Sequence, residues 1–117
     1  MKENQFVNYI LSTYGVTADT PFNDFDAKVF RVKDGKKWFA IYMSVPSSKF
    51  NLQGEREDVV NLKCPPGISA DFIDYASIFP AYHMNKTHWI SILLLRTDDE
   101  KIKLLTDISY NIVSKTK

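Results

Sequence analysis

The chain has 117 residues, 44% apolar and 14% aromatic, with 15 Lys+Arg against 14 Asp+Glu and a formal charge of +1. That length holds one domain with one core, and the apolar content excludes a disordered chain. The balanced charge excludes a broadly basic protein that coats phosphate, so any nucleic-acid site has to be a local patch.

The single cysteine, Cys64, allows no internal disulfide and points to a reducing compartment. No apolar run reaches the roughly 18 residues that span a bilayer. The N-terminus, charged at Lys2 and Glu3, lacks a signal-peptide pattern. The expectation is a cytoplasmic protein with no membrane partner.

Residues 4–14 predict a helix. Phe6, Val7, Ile10, Leu11 and Tyr14 recur at three- and four-residue spacing, and Gly15 supplies a left-handed stop. Residues 16–26, with Pro21, connect it to two strands, 28–33 and 36–43. Asp34-Gly35 makes the turn between them, because glycine accepts the positive φ of a tight hairpin. With a two-residue turn, Phe30 faces Phe39 and Arg31 faces Trp38. Phe30, Val32, Phe39, Ile41 and Met43 then share a core face. Val29, Arg31, Lys33, Lys36, Trp38 and Tyr42 share the other, a basic and aromatic face. That face is either a solvated sheet surface or a ligand surface, and Arg31 over Trp38 is a candidate cation–π pair.

Residues 44–58, polar and carrying Pro46 and Gly54, read as a long connection. Residues 59–63 form a third strand, ended by Pro65-Pro66-Gly67. Ser69 is placed as the cap of a short helix running to about Ala76, with Phe72, Ile73 and Ala76 turned inward. Pro80 opens a fourth strand, Asn85-Lys86 makes a turn, and a fifth strand runs through Leu95. In that register His83 faces His88 and Tyr82 faces Trp89. Thr97-x-x-Glu100 reads as a capping box, and Ile102, Leu105, Ile108 and Ile112 as the inner stripe of a C-terminal helix. The order is α-β-β-β-α-β-β-α. It predicts a single α+β domain over residues 1–117, an antiparallel sheet of about five strands with the two terminal helices packed on one face.

Several of these stretches together resemble the MmcQ/YjbR family. They are Val60-Asn61-Leu62-Lys63-Cys64-Pro65, the run Pro80-Ala81-Tyr82-His83-Met84-Asn85-Lys86-Thr87-His88-Trp89, the closing amphipathic helix, Pro21-Phe22, and Val29-Phe30-Arg31-Val32 with its Asp-Gly turn. The match runs over nearly the whole chain in the family's own order. The resemblance implies a small bacterial α+β protein of frataxin-like (CyaY-like) fold that binds DNA, and it brings no catalytic residue set. Frataxin-type proteins hold iron on an acidic ridge of the first helix. That helix here carries only Glu3, so iron chemistry does not follow from the fold.

The residues themselves offer three functions. The first is nucleic-acid binding. Lys28, Arg31, Lys33, Lys36 and Lys37 surround Trp38, and Lys63, Asn85 and Lys86 lie near Trp89, so cations meet phosphate while rings stack on bases. The second is a protein-interaction module anchored by Tyr82, His83, His88 and Trp89 together with Trp38. The third is an enzyme or small-ligand binder. His83 and His88 pair as metal ligands only if a third ligand exists, and Cys64, before Pro65, has no helix N-terminus to lower its pKa. There is no Gly-rich phosphate loop, no Ser/His/Asp set and no telling carboxylate pair. The expectation is a non-enzymatic module without cofactor or metal.

Overall fold

A computed structural model describes residues 1–21, 27–33 and 37–115. Within them three α-helices and five strands run in the order α1 (Glu3–Tyr14), β1 (Lys28–Arg31), β2 (Trp38–Pro46), β3 (Arg56–Lys63), α2 (Pro66–Phe72), β4 (Ile78–Pro80), β5 (Trp89–Leu93) and α3 (Asp99–Lys115). A 3-10 turn, Ser47–Phe50, joins β2 to β3. The strands form one antiparallel sheet in the order β1-β2-β3-β5-β4. The predicted α+β order is the one observed.

Helix α1 ends where expected. Gly15 adopts φ 69° and its amide donates to the Leu11 carbonyl at 3.0 Å. Phe6 and Ile10 are buried, but Leu11 is turned outward and is 48% exposed. Helix α3 is rotated from the predicted stripe. Its buried side chains are Ile102, Leu105, Thr106, Ser109 and Val113, with Ile108 and Ile112 at the margins. Ser109 explains the rotation. Its hydroxyl donates to the Phe39 carbonyl at 2.5 Å and accepts the Lys63 amide at 2.9 Å, tying α3 to two strands.

Phe39 is the extra residue of a bulge. Phe30 pairs with Ala40 and Arg31 with Trp38, so the β1–β2 register slips between them. The expected Arg31–Trp38 pair therefore forms, whereas the expected Phe30–Phe39 pair does not. Beyond the bulge the faces of β2 are exchanged. Tyr42 joins the core under the helices with Phe6, Phe30, Phe39, Leu62, Ile90 and Ile102. Ile41 and Met43, assigned to that core by alternation, point to the opposite face with Val29, Val59, Phe79 and Leu93. The opposite face is covered too, by Phe50, Leu52, Tyr82 and Met84 from the connections around it.

Other boundaries move. The connection 44–58 is mostly structured, since β2 runs to Pro46 and β3 begins at Arg56. Pro65-Pro66 starts α2, as proline suits a first helical turn. Ser69 lies inside that helix, its hydroxyl donating to the Pro66 carbonyl at 2.8 Å, and Ala76 is exposed. Pro80 closes β4 instead of opening it. Thr97 does not cap α3; its hydroxyl donates to the Leu93 carbonyl at 2.8 Å.

Candidate nucleic-acid interface

Two residue pairs meet at one end of the sheet. Arg31, the last residue of β1, lies opposite Trp38, the first of β2. Lys63, the last of β3, lies opposite Trp89, the first of β5. The β2–β3 ladder, with Ala40 opposite Leu62, places both pairs at the same end. Phe30, Leu62 and Ile90 face the helices. Alternation therefore turns their neighbours Arg31, Lys63 and Trp89 to the other face, where Trp38 also packs. A cation, a ring, a cation and a ring thus cross the sheet end on one face, each half-buried.

The Arg31 guanidinium sits over the Trp38 ring, 5.8 Å from its centroid, and pairs with Asp19 at 3.1 Å. Lys33 and Lys37 are exposed at this same end, with the Val32 amide donating to the Lys37 carbonyl at 3.0 Å. Lys36, with Asp34 and Gly35, lies outside the described residues. Lys28 does not join the group. It is paired with Tyr42 near the other end of β1, on the helix side, and is ion-paired to Glu3 of α1.

The run from Ala81 to His88 is a loop, not the predicted strand–turn–strand. The last β4–β5 pair is Pro80 with Ile90, and the expected His83–His88 pair does not form. The reason is a buried polar relay that claims the Tyr82 backbone. The Tyr82 amide donates to Ser91 Oγ at 2.8 Å, Ser91 Oγ donates to Asn61 Oδ1 at 2.5 Å, and Asn61 Nδ2 donates to the Tyr82 carbonyl at 2.8 Å. Each group is satisfied, which is what burial of polar atoms demands. Asn85 shapes the far side of the loop. Its Oδ1 accepts the Thr87 amide at 2.8 Å and its carbonyl accepts the Trp89 amide at 3.0 Å. Lys86, His83 and His88 are exposed on this loop, and Tyr82 and Trp89 are half-buried. Asn61 and Ser91 escaped the sequence reading. Their signal was a polar residue at an inward position within each apolar strand, Val59-Val60-Asn61-Leu62 and Ile90-Ser91-Ile92.

Among the described residues no group of three or more His, Cys, Asp or Glu is placed to hold a metal. Cys64 is buried, and burial pushes its thiol up to about 11, so it stays protonated at neutral pH. No helix among the described residues is long and apolar enough to cross a membrane.

The YjbR family model matches residues 11–112. The chain belongs to the YjbR family. The uncharacterized protein YyaQ of Bacillus subtilis (strain 168) is 42% identical over 107 residues, 89% of this chain and 91% of the relative. A crystal structure of a Pseudomonas syringae protein superposes with a TM-score of 0.91 at 36% identity, covering 97% of this chain and 99% of that one. The Deinococcus radiodurans protein DR2400, described by its DUF419 domain, shares the fold with a TM-score of 0.71 at 24% identity, over 94% of this chain and 79% of that one. In this YjbR-family chain the run Pro80–Trp89, one of the stretches that carried the resemblance, spans the end of β4, the Ala81–His88 loop pinned by Asn61 and Ser91, and the start of β5.

Proposed function

We propose that this YjbR-family chain is a DNA-binding module that works by binding alone, without a reaction of its own. The observation that supports it is the Arg31, Trp38, Lys63, Trp89 alternation on one face, with Lys33, Lys37 and Lys86 exposed around it. Lysine and arginine neutralise phosphate, and indole rings supply faces on which any base can stack. With a net charge of only +1, binding rests on this local patch and is sensitive to salt. The setting we infer is the cytoplasm, whose reducing conditions suit a lone thiol.

The chain has two tryptophans, Trp38 and Trp89, and both lie in the proposed interface. Their intrinsic fluorescence therefore reports occupancy without a label. Titration with DNA should quench or shift it, and the apparent affinity should fall linearly in a log–log plot against salt. No spectral response at low salt would overturn the reading. Binding of a protein partner that hardly changes with salt would replace it with an aromatic-anchored protein contact.

A further inference from the structure

Beside this interface, at the β4 edge of the sheet, lies a cleft of ≈ 270 Å³. The 3-10 turn, the turn before β4 and the Ala81–His88 loop border it. Phe50, Phe79 and Tyr82 form its apolar wall, with the Phe50 ring 5.0 Å from Phe79 and 6.0 Å from Tyr82. Tyr75 stands at its mouth, 68% exposed, edge-on to Phe79 at 6.2 Å. Lys49 and Lys86 also line it, and among the described residues no carboxylate does.

The backbone around the cleft turns through left-handed positions. Among the described residues three that are not glycine have positive φ: Asn51 at 59°, Tyr75 at 55° and His83 at 60°. Two of them line the cleft and the third follows Tyr82. For a bulky residue such as tyrosine the left-handed region is uncommon, and it persists only where the surroundings over-determine it. Asp74 does so here. Its carboxylate accepts the amides of Ala76, Ser77 and Ile78 at 2.8–2.9 Å, and the Ile78 carbonyl accepts the amides of Asp74 and Tyr75. The turn thus holds the Tyr75 backbone in place and leaves its ring exposed, a face on which another flat surface can stack.

We propose that this cleft takes one unpaired nucleobase together with its phosphate. The base stacks on Tyr75 against the Phe79–Tyr82 wall, Asn51 offers an amide to its edge, and Lys49 and Lys86 receive the phosphate. The cleft lies at the small end of the roughly 300–1,000 Å³ range of ligand sites, a size in keeping with a single planar ring system. The inference rests on the DNA-binding reading above and narrows it to strands with unpaired bases.

The test uses the full chain and two probes: an oligothymidylate of about ten nucleotides, and an abasic deoxyribose-phosphate oligomer of the same length. Base stacking should make the abasic oligomer bind about tenfold more weakly. Tyr75→Ala should weaken oligothymidylate binding about tenfold, leave the abasic affinity and the salt slope unchanged, and be rescued by Tyr75→Phe. If oligothymidylate binds but Tyr75→Ala has no effect, the cleft is not a base site and the wider reading survives, with any weakening of the abasic oligomer then belonging to stacking on Trp38 and Trp89. If oligothymidylate does not bind at low salt, the inference falls; if duplex DNA does not bind there either, the wider reading falls with it.

Discussion

Lys63 stands directly opposite Trp89 in the β3–β5 ladder, on the face of the sheet away from the helices. One residue further in, Leu62 and Ile90 face the helical core. A register slip of one in β3 would turn Lys63 toward the core and Leu62 away from it, so the core holds this pair in place. Lys63→Met keeps the aliphatic stem and removes the charge. It should weaken DNA binding regardless of base sequence and reduce the salt slope by about one unit. Its urea midpoint should stay where it is, within about 0.5 kcal/mol. An unchanged slope would remove Lys63 from the interface.

The hairpin end offers a larger version of the same measurement. Neutralising Lys33, Lys36 and Lys37 together should lower affinity across sequences and cut the salt slope by about one unit for each phosphate that is no longer neutralised. If affinity and slope both hold, these cations are solvated and nothing more.

The Ala81–His88 loop separates recognition from folding. Lys86 and His88 are exposed, and the Lys86 ammonium donates to the Ala81 carbonyl at 2.9 Å. Lys86→Ala combined with His88→Ala should impair DNA binding while moving Tm by no more than about 2 °C. A large drop in Tm with intact binding would mark the loop as structural.

The Asn61–Ser91–Tyr82 relay should behave as a unit. Asn61→Leu leaves the Tyr82 carbonyl and the Ser91 hydroxyl without their partner, at a cost of about 1–3 kcal/mol in denaturant unfolding. Amide exchange at Tyr82 should accelerate as the loop is released. Adding Ser91→Val should cost less than the sum of the single changes, because the second orphaned group is removed. Strict additivity would mean the two residues act independently.

Acid stability should report Glu57. The hydrogen bonds from Arg96 at 2.9 and 3.2 Å lower its carboxyl, burial opposes them, and the Ser47 hydroxyl at 2.8 Å adds to the lowering. The folded pKa therefore lies below the ordinary 4.5. The stabilisation is complete above that value and is lost as pH falls through the folded one. Glu57→Gln should cost about 1–3 kcal/mol near neutrality, and its unfolding curve should converge with that of the parent chain as pH drops below 4.5. A gap that stays constant down the acid arm would show that packing, not charge, makes the contribution.

Local chemistry alone determined much of this protein. Apolar spacing found α1, Gly15 its end, and the strand-forming runs the α-β-β-β-α-β-β-α order. Two cross-strand neighbours, Arg31 and Trp38, followed from the Asp34-Gly35 spacing even though the Phe30–Phe39 pair beside them did not. What the sequence did not carry were decisions made by distant atoms. Period-two alternation has no term for a bulge, so the exchange of Tyr42 with Ile41 and Met43 became visible only with Phe39 in place and its carbonyl taken by Ser109, 70 positions away. The loop at Ala81–His88 has the composition of a hairpin, and local propensity favours strands there. Asn61 and Ser91 decide otherwise, because two buried polar side chains need partners and the Tyr82 backbone is within reach of both. The proposed interface is assembled from strand ends that lie far apart in the chain and meet only when the sheet forms.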